Sequence, residues 1–170
     1  MGVKRLYLLR HAKSSWKDAT LADHDRPLAG RGRRAAKAIG RHMREQGIEP
    51  QLVLCSTARR ARETLERIEP ALGRRAVKVE PELDGASAEE LLARLRRLPG
   101  RVESVLVIGH NPAVQELACR LAGSAPDSLR AKYPTAALAA FDLRVESWRA
   151  LDRGCGELVD FVRPRDLGAS

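Results

Sequence analysis

The chain has 170 residues, 44% of them hydrophobic and 31% charged, which suits one domain with a proper core and excludes disordered and fibrous classes. Lys and Arg outnumber Asp and Glu by 31 to 22, a formal charge of +9 that favours anionic partners in general. Aromatic residues at 4% do not provide the stacking platforms of a single-strand nucleic-acid binder. No apolar run approaches the roughly 18 residues of a membrane span. The apolar stretch Leu6 to Leu9 is far too short for a signal-peptide h-region, so the expected location is cytoplasmic.

In chain order, Leu6 to Leu9 reads as a short buried strand running without alternation into Arg10 and His11, a pair suited to phosphate chemistry. Ala12 to Gly30 has neither helical nor strand period, and a loop of that length in a compact domain reads as functional. Ala35, Ile39 and Met43 predict a helix from about Gly32 to Gln46, stopped by Gly47, with His42 beside the stripe on the surface.

Gln51 to Cys55 is a second buried strand, ending in Ser56-Thr57. The helix after it, from about Ala58, carries Ala61, Leu65 and Ile68 on one face and Arg59, Arg60, Arg62 and Arg67 around the others, until Pro70 ends or kinks it. Ala76 to Val79 reads as a short strand and Pro81 to Gly85 as a turn. Ser87 to Glu90 is a capping box for a helix with Leu91, Leu92, Leu95 and Leu98.

Ser104 to Ile108 is the strongest strand pattern and runs into Gly109-His110-Asn111-Pro112. Asn111 suits an N-cap and Pro112 an N1 position, so His110 stands between a strand end and a helix start, where free N–H groups favour an anion. The helix buries Val114, Leu117, Ala118 and Leu121 and stops at Gly123. Ala137 to Leu143 reads as a strand, and Trp148 to Val162 as one or two more before Pro164.

Three cysteines, Cys55, Cys119 and Cys155, make an odd count without C-x-x-C spacing, and Cys55 and Cys119 read as small core residues. The four histidines, His11, His24, His42 and His110, show no metal-binding spacing, so neither a metal nor another cofactor is expected.

Strands alternating with helices imply an α/β fold with a largely parallel sheet covered on both faces. In such folds ligands gather at the carboxyl ends of strands, and three strands here end in Arg10-His11, Ser56 and His110. Histidines and arginines converging there suit a dianion rather than an acyl-transfer triad.

Leu8 to Ala12, Ser56 to Thr64 and Val107 to Pro112 resemble the three signature segments of the histidine phosphatase superfamily, also called phosphoglycerate mutase-like. Asp23 to Leu28, the Asn-Pro after His110 and Tyr133-Pro134-Thr135 resemble its small SixA-type branch, the phosphohistidine phosphatases. The similarity runs from about residue 4 to residue 164. It implies a three-layer sandwich forming a single domain over residues 1–170.

By this resemblance His11 is the nucleophile, neutral when it attacks, giving a phosphohistidine intermediate that water hydrolyses. Arg10, Arg60 and Arg26 are its phosphate-clamping arginines, and His110 its second histidine. Arg59 and Arg62 are read as helix-surface charges, with Arg62 the first exception. The family's usual glycine after the histidine is Ala12 here. The acid that protonates an alcohol leaving group in larger members has as candidates Glu82 and Asp84 near the expected segment, and Asp18 and Asp23 in the loop, each also readable as a solvated carboxylate.

An imidazole leaves a protonated phosphoramidate readily without such an acid, so protein phosphohistidine is the first expected substrate. A broad phosphomonoesterase for small metabolites is the second reading. A basic binding module with a relic site is the alternative from another class. No nucleic-acid or membrane partner is expected, and the oligomeric state stays open.

Overall fold

The computed structural model describes residues 3–169. Its strands are β1 (Lys4–Arg10), β2 (Leu52–Ser56), β3 (Ala76–Glu80), β4 (Ser104–Gly109), β5 (Leu138–Leu143) and β6 (Gly156–Val162). The helices are α1 (Gly30–Glu45), α2 (Arg59–Ile68), α3 (Ala88–Arg96), α4 (Ala113–Ala122) and α5 (Asp127–Ala131). All six strands form one sheet in the order β3-β2-β4-β1-β5-β6. β1 to β4 pair in parallel, and β5 runs antiparallel to both β1 and β6, so β5 alone runs against the rest.

The period of two along each strand divides the apolar side chains into two cores. Leu6, Leu8, Leu54, Val105 and Val107 face α3 and α4, with Leu91, Leu92, Leu117 and Leu121 packed on them. Tyr7, Leu9, Val53, Cys55, Leu106 and Ile108 face α1 and α2 and meet Ile39, Met43, Leu65 and Ile68. The expected α/β layering with helices on both faces follows from this division.

Several local readings are corrected. α1 starts at Gly30, and its inner face is Gly32, Ala36, Ile39, Gly40 and Met43, with Ala35 only half-buried. Apolar periodicity overlooks glycines, yet here they form the contact surface. A Cβ on Gly32 would lie 2.1 Å from the Lys13 carbonyl oxygen, whereas one on Gly40 would lie 3.2 Å from the Ile68 Cα. His42 is not a surface residue: its side chain is 12% exposed and lies 3.4 Å from the Asp160 carboxylate, because β6 returns beside the end of α1.

α4 begins at Ala113 with Pro112 at the N-cap, while Asn111 Oδ1 accepts from Gln115 N–H at 3.3 Å. Trp148 lies in a buried 3₁₀ turn and donates its indole N–H to the Val102 carbonyl at 2.7 Å, leaving β6 as the tail's one strand. Cys119 is half-buried rather than core, and the short helix α5 has no counterpart in the sequence reading. The capping box at Ser87 is present, with both of its hydrogen bonds.

The close approach at Gly32 gives a first expected result. Gly32→Ala forces the Lys13 backbone, two residues past His11, away from α1, and overpacking of this kind costs about 1–3 kcal/mol. Urea unfolding should show that loss, and Gly40→Ala, with more room, a smaller one. A Gly32→Ala protein as stable as wild type would mean that the loop yields freely.

Candidate active site

The carboxyl ends of β1, β2 and β4 lie side by side, in the register Leu9 beside Ile108 and Cys55 beside Ile108. Arg10 ends β1 and His11 follows it, clamped by the backbone on every side. His11 N–H donates to the Gly109 carbonyl at 3.0 Å. Ala136 N–H, from a residue held at φ +61°, donates to the Arg10 and His11 carbonyls at 3.0 and 3.1 Å. The next amide, Ala12 N–H, donates to Thr64 Oγ1 at 2.9 Å, and the Thr64 hydroxyl donates in turn to the Arg60 carbonyl at 2.7 Å.

The His11 ring is buried, with Nδ1 2.8 Å from the Ala12 carbonyl oxygen. A carbonyl only accepts, so Nδ1 carries the proton and Nε2 keeps a lone pair. Burial, with help from the positive charges of Arg60 and Arg10 and from His110, pushes the His11 pKa down to about 3, against the bond to Ala12. The imidazole is therefore neutral at physiological pH.

His110 stands with its ring centroid 5.0 Å from that of His11. An Arg60 Nη2–H donates toward His110 Nδ1 at 3.4 Å, so His110 Nε2 bears the proton and donates to Ser56 Oγ at 2.8 Å. Burial and then Arg60 push its pKa down to about 4, although the Asp84 and Asp23 carboxylates oppose the shift.

Arg60 is buried on the first turn of α2; its Nη1 donates to the Asp23 carbonyl at 2.9 Å and its Nη2 lies 3.1 Å from the Asp23 carboxylate. Arg10 Nη1 donates to the Tyr133 carbonyl at 2.9 Å, an acceptor shared with Asn111 Nδ2 at 3.2 Å. Burial and, after it, the neighbouring Arg60 charge lower the Arg10 pKa. Nε of Arg10 and Nε of Arg60 are both buried without a hydrogen-bond partner among the described residues.

Arg26 is buried, but its fork is already taken. Nη1 donates to Ser14 Oγ at 2.5 Å, Nε to Asp23 Oδ1 at 3.1 Å, and the guanidinium lies 3.5 Å over the Trp16 ring. It reaches the cluster through Asp23, which it shares with Arg60. Burial is the largest single influence on Asp23 and raises its pKa, but the bonds and charges of Arg26 and Arg60 together outweigh it and bring the carboxyl below its ordinary value.

Of the acid candidates, Asp84 lies in the site, with Oδ1 3.7 Å from His110 Nε2 and Oδ2 2.7 Å from His24 Nδ1. Glu82 is exposed outside it, in a hollow with Arg94 and Arg97, because the 3₁₀ turn Pro81–Leu83 sends alternate side chains apart. Asp18 is exposed and accepts from Thr20. Of the two doubtful arginines, Arg62 donates to the Thr57 carbonyl on the surface, while Arg59 pairs with Glu63 and reaches the Asp25 carbonyl at 3.4 Å.

Thr64 and the Asp84–His24 pair had no assigned role in the sequence reading. A buried threonine in the stripe Arg60, Ala61, Thr64, Leu65 was the available signal for the first. The second joins residues 60 positions apart and left none.

The sequence profile of the histidine phosphatase superfamily (branch 1) matches residues 6–94. An uncharacterised protein of Mycobacterium tuberculosis (strain H37Rv) is 38% identical over 165 residues, covering 92% of this chain and 100% of that one. Among solved structures, a chain assigned to phosphohistidine phosphatase SixA from Nakamurella multipartitia has a TM-score of 0.85 at 30% identity, over 96% of this chain and 98% of its own. A protein histidine phosphatase SixA complexed with tungstate has a TM-score of 0.79 at 27% identity, over 96% and 99%. A profile matching more than half of the sequence, together with a relative of 38% identity along nearly all of it, places the chain in the histidine phosphatase superfamily, branch 1, to which it belongs.

Proposed function

We propose that the protein is a metal-independent phosphatase that hydrolyses protein phosphohistidine through a covalent phospho-His11 intermediate. The observation that carries this reading is the state of His11: its Nδ1–H is spent on the Ala12 carbonyl, so a neutral Nε2 lone pair stands ready among Arg10, Arg60 and His110. The two unpartnered Nε–H donors of Arg10 and Arg60 suit a ligand rich in acceptors. The substrate class rests on likeness to the SixA structures, one of them a tungstate complex and so a precedent for a tetrahedral oxyanion.

In this mechanism His11 Nε2 attacks the phosphorus of a phosphohistidine whose other ring nitrogen is protonated, the P–N bond breaks, and the substrate imidazole leaves neutral. Arg10 and Arg60 neutralise the charge on the phosphoryl oxygens, with Arg26 adding positive field from beyond Asp23, and the neutral His110 can only donate its Nε2–H, by turning from Ser56. Water then attacks phospho-His11, its proton passes to a base, and phosphate and neutral His11 result. Asp84, facing His110, is the carboxylate placed to handle that proton. A location in the cytoplasm, where phosphohistidine carriers work, fits this reading.

The deciding experiment compares a phosphohistidine-bearing carrier domain with p-nitrophenyl phosphate in buffer containing a chelator. The expected result is faster turnover of the phosphoramidate, at a rate unchanged by the chelator. Preference for the ester would reassign the enzyme to small phosphomonoesters, and inactivity on both would leave only the binding-module reading.

A further inference from the structure

Along the sheet, the two flanks of the site differ in charge. On the β2–β3 side stand Asp23, Asp84 and the His24 imidazole. On the other side, β5 begins and β6 ends at the edge where His11 lies: Leu9 pairs with Leu138 and Leu138 with Val162, so Thr135 and Arg163 sit at the same end of the sheet as the nucleophile. A groove of about 440 Å³ opens over that edge, with Pro134, Thr135, Ala131 and Pro164 among its walls.

Lys13, Arg31, Lys132, Arg163 and Arg165 line this groove, and among the described residues no Asp or Glu side chain does. Arg163 is paired with Asp166. Among the described residues, Lys13, Arg31, Lys132 and Arg165 have no side-chain ion-pair or hydrogen-bond partner, and all four are exposed. Elsewhere on this arginine-rich surface some cations pair with local carboxylates, as Arg94 does with Glu80, Arg75 with Glu69 and Arg120 with Glu89, while others, such as Arg97 and Arg149, have no such partner among the described residues. What distinguishes the four groove cations is their place: they meet in one hollow at the His11 end of the sheet.

The groove is tied to the catalytic floor by short covalent paths. Lys13 is two residues beyond His11, and Pro134 follows Tyr133, whose carbonyl holds Arg10. Thr135 precedes Ala136, whose amide holds the Arg10 and His11 carbonyls. A phosphohistidine reaching Nε2 of His11 on a protein surface brings the neighbouring surface of that protein over this rim.

We infer that the groove lined by Lys13, Arg31, Lys132 and Arg165 docks an acidic segment of the phosphorylated protein substrate, flanking the phosphohistidine. This inference rests on the phosphohistidine reading for its partner. Exposed charges of this kind act on encounter and positioning more than on chemistry, so the groove sets KM and salt dependence while the floor sets kcat. It separates a protein substrate from a small phosphate, which fills the floor alone.

The test uses the double reversal Lys132→Glu, Arg165→Glu, with Arg97→Glu, Arg149→Glu as a control of equal charge change. The control pair lines a hollow with Gly100, whose carbonyl accepts from Lys4 at the opposite end of β1. Anisotropy of a fluorescein-labelled peptide of alternating Asp and Glu reads binding without any turnover. Groove reversal should weaken binding at least about tenfold and flatten its salt dependence, and the control should change it less than about twofold.

In kinetics, groove reversal should raise KM for an acidic phosphohistidine domain by a similar factor with kcat unchanged, and leave phosphoimidazole hydrolysis unaltered. Equal loss of peptide binding in both double variants, or an unchanged KM for the domain, would overturn the docking role. Equal loss on phosphoimidazole would also overturn it, since the groove would then act only by shaping the floor. If wild type hydrolyses neither substrate, the phosphatase reading fails, while the peptide arm still judges the groove.

Discussion

His11→Asn should abolish turnover, lowering kcat by about 10⁴-fold or more, the scale seen when the nucleophile of a covalent mechanism is removed. Asparagine keeps a polar side chain of nearly the same reach but has no lone pair on a basic nitrogen. Alkaline quenching of the wild type during turnover of ³²P-labelled substrate should leave label on the protein, stable in base and lost in acid, as a phosphoramidate behaves. The variant should carry none. Label retained by His11→Asn, or activity within about a hundredfold of wild type, would put the nucleophile elsewhere.

The same substitution has a structural signature that does not depend on substrate. His11 is held neutral by burial, with a pKa of about 3 against an ordinary 6.5. Between those values the unfolded chain takes up a proton that the folded one refuses. The stability contribution is therefore full above pH 6.5 and is lost as pH falls toward 3. His110, pushed down to about 4, acts in the same direction. Urea midpoints of the wild type should fall more steeply from pH 6.5 to pH 4 than those of His11→Asn, which has nothing to protonate at that position.

How much of this was legible in the sequence differs by type of contact. Strands and helices were visible because a buried strand is a continuous apolar run and a helix repeats every 3.6 residues. The nucleophile and its partners were visible because strand ends collect chemistry: Arg10, His11 and His110 follow apolar runs directly, and Arg60 lies one turn past another. What stayed hidden was carried by backbone or by distant pairs.

Gly32 packs on Lys13 with no side chain to betray it, and Ala136 holds two carbonyls with an amide that any residue possesses. Asp84 could not be separated from Glu82 two positions away, since only the 3₁₀ turn decides which faces His110. His42 was misplaced because the strand that covers it lies over a hundred residues later. Arg26 was foreseen as a clamp, yet its nitrogens are spent on Ser14 and Asp23, a commitment that only three-dimensional neighbours reveal.

Arg60→Ala should lower kcat/KM by about 10²–10³-fold, the usual loss for one preorganised donor to a developing oxyanion. Arg60 is also the largest cause after burial of the low His110 pKa, so its removal should move that pKa up from about 4 toward 6.5. The acid limb of the pH–rate profile should move up with it, since without the Arg60 charge His110 takes its second proton, on Nδ1, at a higher pH. Arg60→Lys should restore charge, and with it most of the low His110 pKa, but not the fork that spans Asp23 and His110. The lysine variant should thus recover the pH profile more fully than the rate. NMR titration of His110 beside steady-state kinetics reads both quantities. An alanine variant within about fivefold of wild type would remove Arg60 from the chemistry, and an unmoved His110 titration would break its coupling to the second histidine.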